Sequence, residues 1–430
     1  MEQAPVKGNA QSALTMATTG FFAGFAGLAL FGPLVPRFTD LMHLSPVAAG
    51  LLAAIASLTG SILRIPFGAL ADRGGKRPFL ALQGLALIGM VGLIFLLRQD
   101  YPNHLAGTYP ILLVLGMLVG SGIATFSVGI AQVSYWFPKA KQGGPLGIYA
   151  GIGNLGSGIF SLLLPMAVVA FGMVRAYELW FVFLLVVAIL YAIFMKDAPS
   201  FQLNAQGETV TLDRVQKFGQ DTLPAGSACT ALMEAAREPA TWALVVLYFT
   251  SFGGFMALTS WLPTFWHSAY HSAVVAGGAL TLIFSVTASL VRVPGGLLAD
   301  RLSIRFALSV NVVIIVAGTL LMVLAPNQTS ALIGALIVAL GMGLQNAVVF
   351  KLVPWFVPNA VGGAAGWVGG LGAFGGFVLP PIMGAIAGHT HNYADALVVF
   401  WVLGVINWAV IVWLTRTAKS KVALAPDFPL

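Results

Sequence analysis

Twelve apolar segments, separated by short polar breaks, run along the 430-residue chain. A helix that crosses a bilayer needs about 20 predominantly apolar residues, and most of these segments reach that length. Only 8% of the residues are charged, whereas about 25% are charged in a soluble domain. The pattern predicts an all-α membrane protein with twelve transmembrane helices and argues against a soluble multidomain enzyme. The predicted spans are Leu14–Pro36, Pro46–Ala71, Phe79–Leu97, Tyr109–Phe137, Gly144–Phe171, Leu179–Phe194, Ala240–Phe265, Ala273–Ala299, Phe306–Leu324, Ser330–Phe356, Val361–Ala387 and Ala394–Leu414.

The longest polar stretch, residues 196–239, divides the predicted spans into six and six. It contains ten charged residues and the only cysteine, Cys229, so an intramolecular disulfide is excluded. We predict an N-terminal six-helix bundle (1–195), a cytoplasmic linker (196–239) and a C-terminal six-helix bundle (240–430).

Lysine and arginine are distributed unequally between the two sides of these spans. If the N-terminus is cytoplasmic, fifteen of the 21 cations lie on the cytoplasmic side and three lie in outer loops. Because cytoplasmic loops are enriched in Lys and Arg, we predict that both termini are cytoplasmic. The net charge of +7 then faces anionic lipid, and no nucleic-acid partner is expected.

The two halves of the chain repeat each other. At an offset of 228 residues, the ten residues from Arg64 to Arg73 match those from Arg292 to Arg301 at seven positions. At an offset of 219, four glycines that begin with Gly147 match four that begin with Gly366. A parallel repeat of six spans is typical of transporters whose substrate site lies between the halves, near the bilayer midplane.

Arg64 and Arg292 are the residues that most constrain the substrate. Each lies inside a predicted span at a matching position of the repeat, and an ionised side chain persists there only where it faces protein or a cavity. None of the fourteen acidic residues falls in the middle of a predicted span. The counter-charge is therefore expected from the ligand, which predicts an anion with planar oxygens that suits the guanidinium fork.

Other function classes fit the sequence less well. A cation or multidrug antiporter normally needs an intramembrane carboxylate, and an enzyme needs a nucleophile–base pair or a set of metal ligands. All six histidines fall in predicted outer loops, and only His267 and His271 have a spacing that suits a metal. We therefore expect neither enzymatic activity, nor a metal, nor a cofactor.

The loop after the second predicted span carries the sequence from Gly68 to Arg77, Gly-Ala-Leu-Ala-Asp-Arg-Gly-Gly-Lys-Arg. It resembles the loop motif of the major facilitator superfamily, and residues 296–301 repeat part of it. The resemblance implies a latch at the cytoplasmic side, with Asp72 pairing with neighbouring cations; the alternative is a cationic loop that only sets topology. The gate residues implied are Gly68, Asp72, Arg73, Arg77, Asp300 and Arg301.

The fifth span contains the run Ala-Gly-Ile-Gly-Asn-Leu-Gly-Ser-Gly at residues 150–158. This run resembles the nitrate signature of the nitrate/nitrite porter (NarK-type) family, and the glycine ladder of the eleventh span resembles its second copy. The resemblance implies a bacterial cytoplasmic (inner) membrane transporter that binds nitrate or nitrite between two arginines and two aromatic rings. The substrate-binding residues implied are Arg64, Arg292, Tyr248, Phe126, Phe252, Asn154, Gly151 and Gly370, while Ser157 and Ala373 depart from the pattern.

Transport of an anion into a negative-inside cell costs about 2.3 kcal/mol per charge per 100 mV, so accumulation requires coupling. Lys351, with Asn346 nearby in the tenth span, resembles the residue of proton-coupled relatives, and a lysine shielded from water can exchange a proton. The leading hypothesis is nitrate/proton symport by a monomer. The alternatives are electroneutral nitrate/nitrite antiport, an organic-anion carrier and an anion sensor, and Lys351 could also only add positive field.

Overall fold

The computed structural model describes residues 6–138, 141–221, 223, 228–292, 294–295, 303–357 and 360–422. Within these ranges every regular element is helical and no strand occurs. Eleven helices are long and apolar enough to span a membrane, and a twelfth apolar helix has 17 residues. The all-α prediction is thus confirmed. The spans are α1 (Ala10–Met42), α2 (Pro46–Arg73), α3 (Lys76–Asp100), α4 (Leu105–Trp136), α5 (Gly143–Phe171), α6 (Met173–Phe194), α7 (Pro239–Tyr270), α8 (Val274–Leu290), α9 (Arg305–Val323), α10 (Gln328–Phe356), α11 (Val361–Thr390) and α12 (Asp395–Arg416).

Several predicted boundaries differ from the structure; the sixth span begins at Met173 rather than Leu179, and the seventh ends at Tyr270 rather than Phe265. We expected the first span to end at Pro36, but α1 continues to Met42. Pro36 lies in the first turn of a helical segment, Val35–Met42, that follows a 3₁₀ turn, and proline is tolerated there because its missing N–H has no intrahelical acceptor. The eighth span was expected to reach Ala299, whereas the regular helix ends at Leu290 and residues 296–302 lie outside the described part.

Four helices pack closely at the end of the molecule opposite the N-terminus. The first part of α2 lies along the last part of α11, and the first part of α8 along the last part of α5. A Cβ on Gly50 would overlap the carbonyl oxygen of Pro380, and one on Gly278 would overlap that of Ser161. Glycine permits this backbone contact, and the two contacts close this end of the molecule.

Several of the long helices are interrupted near their middle. In α7, the residues Phe249–Gly253 form a π-helical turn, and in α4 a 3₁₀ turn spans Ser121–Ala124 and ends two residues before Phe126. The α-helix in α2 restarts at Arg64 after Leu63. Irregular turns inside helices often mark functional sites, and these three contain or lie within two residues of positions that the sequence identified.

The polar linker is partly helical, with segments Pro199–Ala205, Leu212–Gln216 and Ala228–Arg237. The last of these packs against the first part of α11. The indole Nε1–H of Trp367 donates to the carbonyl oxygen of Leu232 at 2.9 Å. Cys229 on this segment is exposed. The linker therefore contacts α11 at the same end of the molecule as the N-terminus.

Candidate functional site

Arg64 is among the largest fully buried side chains of the protein, with 1% of its surface exposed. Its Nη1 donates to the carbonyl oxygen of Gly369 on α11 at 3.1 Å. Its Nε and Nη2 are buried and have no hydrogen-bond partner among the described residues. Arg64 therefore links α2 to α11 and leaves two donors for another acceptor.

Arg292 follows α8 at the position that the repeat relates to Arg64. Its Nη2 donates to the hydroxyl of Tyr248 at 3.4 Å, which is a long hydrogen bond. Its Nη1 is buried without a partner in the described part of the chain. Tyr248 itself is completely buried and lies on α7 directly before the π-helical turn. The second arginine thus also has an unused buried donor.

The ring of Phe252 contacts both arginines. The Cζ of Arg64 lies 5.1 Å from the ring centroid and the Cζ of Arg292 lies 5.4 Å from it, so the two guanidinium carbons are at most 10.5 Å apart. Arg64 also lies 4.8 Å from the ring of Phe126, and the two phenyl rings are 6.3 Å apart. The arrangement brings two cations together around aromatic faces, which attract cations through their quadrupoles.

No carboxylate compensates these cations in the described part of the molecule. The ion pairs found there are Arg98 with Glu178 and Arg214 with Glu208, and neither involves Arg64 or Arg292. The same residues contain no cluster of His, Cys, Asp and Glu that could hold a metal. The site can therefore offer guanidinium donors and aromatic faces to an anion.

The glycine ladder of α5 and that of α11 have different surroundings at the two predicted site glycines, Gly151 and Gly370. A Cβ on Gly151 of α5 would meet no other atom within 4 Å, although the residue itself is buried. Asn154, one turn later, is 1% exposed, and its Oδ1 has no hydrogen-bond partner among the residues described. A Cβ on Gly370 of α11 would lie only 2.6 Å from the side chain of Ile65. Gly151 borders open space, whereas Gly370 allows α11 to pack on α2.

Two residues that contribute to the site, Gly369 and Tyr149, were not among those predicted from the sequence. Gly369 provides the carbonyl that accepts from Arg64, and only its place beside Gly370 in the ladder could have indicated it. The hydroxyl of Tyr149 donates to the carbonyl oxygens of Thr125 and Phe126 at 3.0 Å each. Tyr149 fixes the backbone that carries Phe126, and its position inside the fifth-span ladder was the available signal.

The two proton-coupling candidates lie on α10 but on different faces. Five residues separate Asn346 from Lys351, which corresponds to about 140° around a helix. Asn346 is 2% exposed and its Oδ1 has no partner within the described ranges. Lys351 is half-buried and follows Phe350, whose ring packs edge-on against Tyr248 at 4.9 Å. Lys351 is thus next in sequence to a residue whose ring packs on Tyr248.

The gate residues are arranged differently from the expected charge pairing. The carboxylate of Asp72 accepts from the hydroxyl of Tyr135 on α4 at 2.7 Å, and no ion pair of Asp72 with a described cation is present. A Cβ on Gly68 would lie 3.2 Å from that of Ser127, so this glycine lets α2 approach α4. The hydroxyl of Tyr135 reaches the Asp72 carboxylate because Tyr135 lies on the neighbouring helix α4. Arg73 and Arg77 have no carboxylate partner in the described chain, while Asp300 and Arg301 lie outside it.

A second carboxylate beside this loop accepts a hydrogen bond from backbone. Asp197, three residues after α6 ends, accepts from the backbone N–H of Lys76 at 2.9 Å. Burial raises the pKa of the Asp197 carboxyl, and the hydrogen bond from Lys76 opposes that shift. The loop between α2 and α3 is therefore held by hydrogen bonds to the N-terminal half of the chain.

The helices and the buried arginines together define a membrane transporter of the major facilitator type. A sequence profile described as Major Facilitator Superfamily matches residues 17–354. The crystal structure of a D-xylose–proton symporter has the same fold, with a TM-score of 0.69 and 14% sequence identity, over 94% of this chain and 96% of that one.

Two relatives indicate the family within this superfamily. The "Nitrite extrusion protein" of Bacillus subtilis is 29% identical over 409 residues, which cover 95% of each chain. The "Probable nitrate/nitrite transporter NarK2" of Mycobacterium tuberculosis is 31% identical over 378 residues, 86% of this chain and 88% of the relative. The chain belongs to the Major Facilitator Superfamily and, within it, to the NarK-type nitrate/nitrite porter family. It is a multi-pass membrane transporter and not an enzyme.

Proposed function

We propose that this protein transports nitrate, and also nitrite, by alternating access through a site between Arg64 and Arg292. The observation that carries the proposal is the pair of guanidinium groups around Phe252, that of Arg64 fully buried and that of Arg292 partly buried. They leave Nε and Nη2 of Arg64 and Nη1 of Arg292 without acceptors among the described residues. Buried cations are costly unless paired, and a bound oxyanion supplies both charge and acceptor oxygens. The names of the two relatives support nitrate and nitrite as the substrates.

The predicted site residues have distinct proposed roles. Arg64 and Arg292 bind the anion, and Phe126 and Phe252 contact the guanidinium planes and the flat face of the ligand. Tyr248 donates its hydroxyl hydrogen, and Asn154 offers the N–H groups of its amide. Gly151 leaves space for the ligand, and Gly370 keeps α11 close to α2.

We further propose that the transporter works between two bundles, residues 1–195 and 240–430, joined by the linker 196–239, with both termini in the cytoplasm of a bacterium. The close contacts of Gly50 and Gly278 then lie on the periplasmic side. The proposed cytoplasmic gate consists of Gly68, Asp72, Arg73 and Arg77, together with Asp300 and Arg301, which lie outside the described residues.

The proposed coupling is symport with protons. One proton per nitrate cancels the charge of the anion, so a negative-inside potential no longer opposes uptake. Lys351 is the proposed proton-coupling residue, with Asn346 as a second candidate on α10. The position of Lys351 directly after Phe350, whose ring packs on Tyr248, supports this assignment.

The test is nitrate flux into proteoliposomes that contain the purified protein, with pH and voltage gradients imposed separately. An acidic exterior should drive nitrate accumulation, and dissipation of the pH gradient should abolish it. Flux that requires nitrite or nitrate on the opposite side and ignores the pH gradient would replace symport by antiport. Absence of nitrate and nitrite flux under every gradient would refute the proposed function.

A further inference from the structure

A pair of serines precedes each of the two arginines at the same spacing. The pattern Ser-x-x-x-Ser-x-x-Arg occurs in both halves of the repeat and follows the 228-residue offset. The residues are Ser57, Ser61 and Arg64 in the first half and Ser285, Ser289 and Arg292 in the second. The repeat therefore preserves two serine hydroxyls together with each arginine.

The inner serine of each pair has an unused hydroxyl. Ser61 and Ser289 are 0% and 1% exposed, and neither Oγ has a hydrogen-bond partner among the described residues. A buried serine in a helix usually donates to the carbonyl four residues earlier, as Ser161 does to Ser157 at 2.9 Å and Ser260 does to Met256 at 3.2 Å. Ser61 and Ser289 lack this bond, so their O–H groups remain available to another acceptor.

Helix geometry associates each of these hydroxyls with its arginine. Although the regular helix is interrupted at Leu63 and ends at Leu290, the backbone at Leu63 and Val291 keeps right-handed helical angles. Each serine and the arginine three residues later therefore stay on one face, about 5–6 Å apart between their Cβ atoms. Long side chains lean toward the helix N-terminus, so the arginine extends over the turn that contains the serine. The backbone oxygen of Ser61 also lies 3.4 Å from the Cβ position of Gly370, the neighbour of Gly369, which accepts from Arg64. Ser61 is thus part of the wall that holds Arg64.

The outer serines have a different environment. The Oγ of Ser285 lies 3.5 Å from that of Ser157 on α5, and the Oγ of Ser57 lies 3.2 Å from the Cβ position of Gly376 on α11. Both outer serines belong to the helix contacts that close the end opposite the N-terminus. The Oγ of Ser57 also lacks a partner among the described residues, but Ser57 lies seven residues before Arg64, whereas each inner serine lies three residues before its arginine.

We infer that Ser61 and Ser289 are substrate-binding residues, each donating its Oγ–H to an oxygen of the bound oxyanion beside the arginine of its own segment. This inference rests on the proposed function. A hydroxyl adds a donor without adding a second buried charge, which would be costly. The site then offers a charged and a neutral donor from each half of the repeat to an anion that has several acceptor oxygens.

The test is equilibrium binding of nitrate and of nitrite to the purified full-length protein, measured by calorimetry. Ser61→Ala and Ser289→Ala should each raise Kd about tenfold, as expected for a lost hydrogen bond to a charged partner. Ser260→Ala is the matched control, because this buried serine donates to its own helix, and its Kd should equal that of the wild type. Ser61→Thr and Ser289→Thr keep a hydroxyl and should bind more tightly than the alanine variants.

The outcomes separate the inference from the proposed function. Kd values within twofold of wild type for both alanine variants, in proteins that keep the wild-type melting temperature, would overturn the role of the serines. If an alanine variant melts early, the threonine comparison decides, and equal Kd for threonine and alanine at either position would also overturn it. A wild-type protein that binds neither anion would refute the proposed function instead.

Discussion

Arg64 and Arg292 lie 5.1 and 5.4 Å from the centroid of one phenyl ring, that of Phe252. The two residues come from positions 228 apart in the repeat and meet on a ring carried by a π-helical turn of α7. Neither forms an ion pair with a described carboxylate. Mutual repulsion of the two cations is therefore a cost that a bound anion offsets.

Replacement of either arginine by lysine should strongly weaken nitrate binding. A lysine keeps the charge but loses the planar fork that matches two oxygens of one anion. Loss of a buried charged contact typically costs about 2–5 kcal/mol, so Arg64→Lys and Arg292→Lys should each raise Kd at least thirtyfold. Calorimetric titration with nitrate measures the change.

The matched control for these variants is Arg98→Lys. Arg98 pairs with Glu178 at 2.6 Å and its side chain is 64% exposed, so nitrate affinity should be unchanged. Equal affinity of Arg64→Lys and wild type would remove Arg64 from the binding site.

Substitution of Phe252 by leucine should weaken binding less than loss of an arginine fork. The ring contacts both guanidinium groups, and a cation–π contact contributes about 0.5–2 kcal/mol. We expect a roughly twofold to thirtyfold higher KM for nitrate in proteoliposomes, together with a lower melting temperature, because the ring is completely buried and leucine leaves a cavity. Phe95→Leu, at a side chain that is 61% exposed, serves as the control, and an unchanged KM in Phe252→Leu would contradict the role of the ring.

The two ladder glycines should respond differently to alanine. At Gly370 the new methyl group would lie 2.6 Å from Ile65, so α2 and α11 must shift and the melting temperature should fall. At Gly151 the methyl group would enter open space, and alanine in a helix is favoured over glycine by about 0.5–1 kcal/mol. Gly151→Ala should therefore keep or raise the melting temperature while it raises the KM for nitrate. A Gly151→Ala variant with wild-type KM would show that the ligand does not use this space.

Replacement of Lys351 by glutamine should uncouple nitrate uptake from the pH gradient. Glutamine preserves approximate size and polarity but cannot carry the coupling proton. We expect pH-driven accumulation to fall at least tenfold, while exchange of internal for external nitrate continues. Lys7→Gln, at an exposed residue before α1, controls for the loss of a lysine, and intact pH-driven uptake in Lys351→Gln would assign the coupling elsewhere.

Much of the fold and part of the site could be predicted because membrane insertion leaves strong marks on a sequence. Apolar segments of sufficient length identify the helices, and a buried arginine is rare enough to be informative on its own. The repeat relates Arg64 to Arg292 by the sequence alone. The burial of Arg64 could be predicted because a charged side chain inside a membrane span has to face protein or a cavity and not lipid.

Contacts made by backbone groups and by neighbouring helices could not be predicted in the same way. The carbonyl of Gly369 accepts from Arg64 because α11 approaches α2 at that height, and a carbonyl leaves no mark in the residue pattern. Asp72 was expected to pair with loop cations but accepts from Tyr135, which depends on how α4 packs on α2. The continuation of α1 beyond Pro36 depended on a local 3₁₀ turn.

The most direct test of the central claim is a structure determined with nitrate bound. The account predicts an anion between the two guanidinium groups, with oxygens within about 3.2 Å of nitrogens of both Arg64 and Arg292 and its plane beside the ring of Phe252. Density for nitrate elsewhere in the protein, with both guanidinium groups left unoccupied, would contradict it.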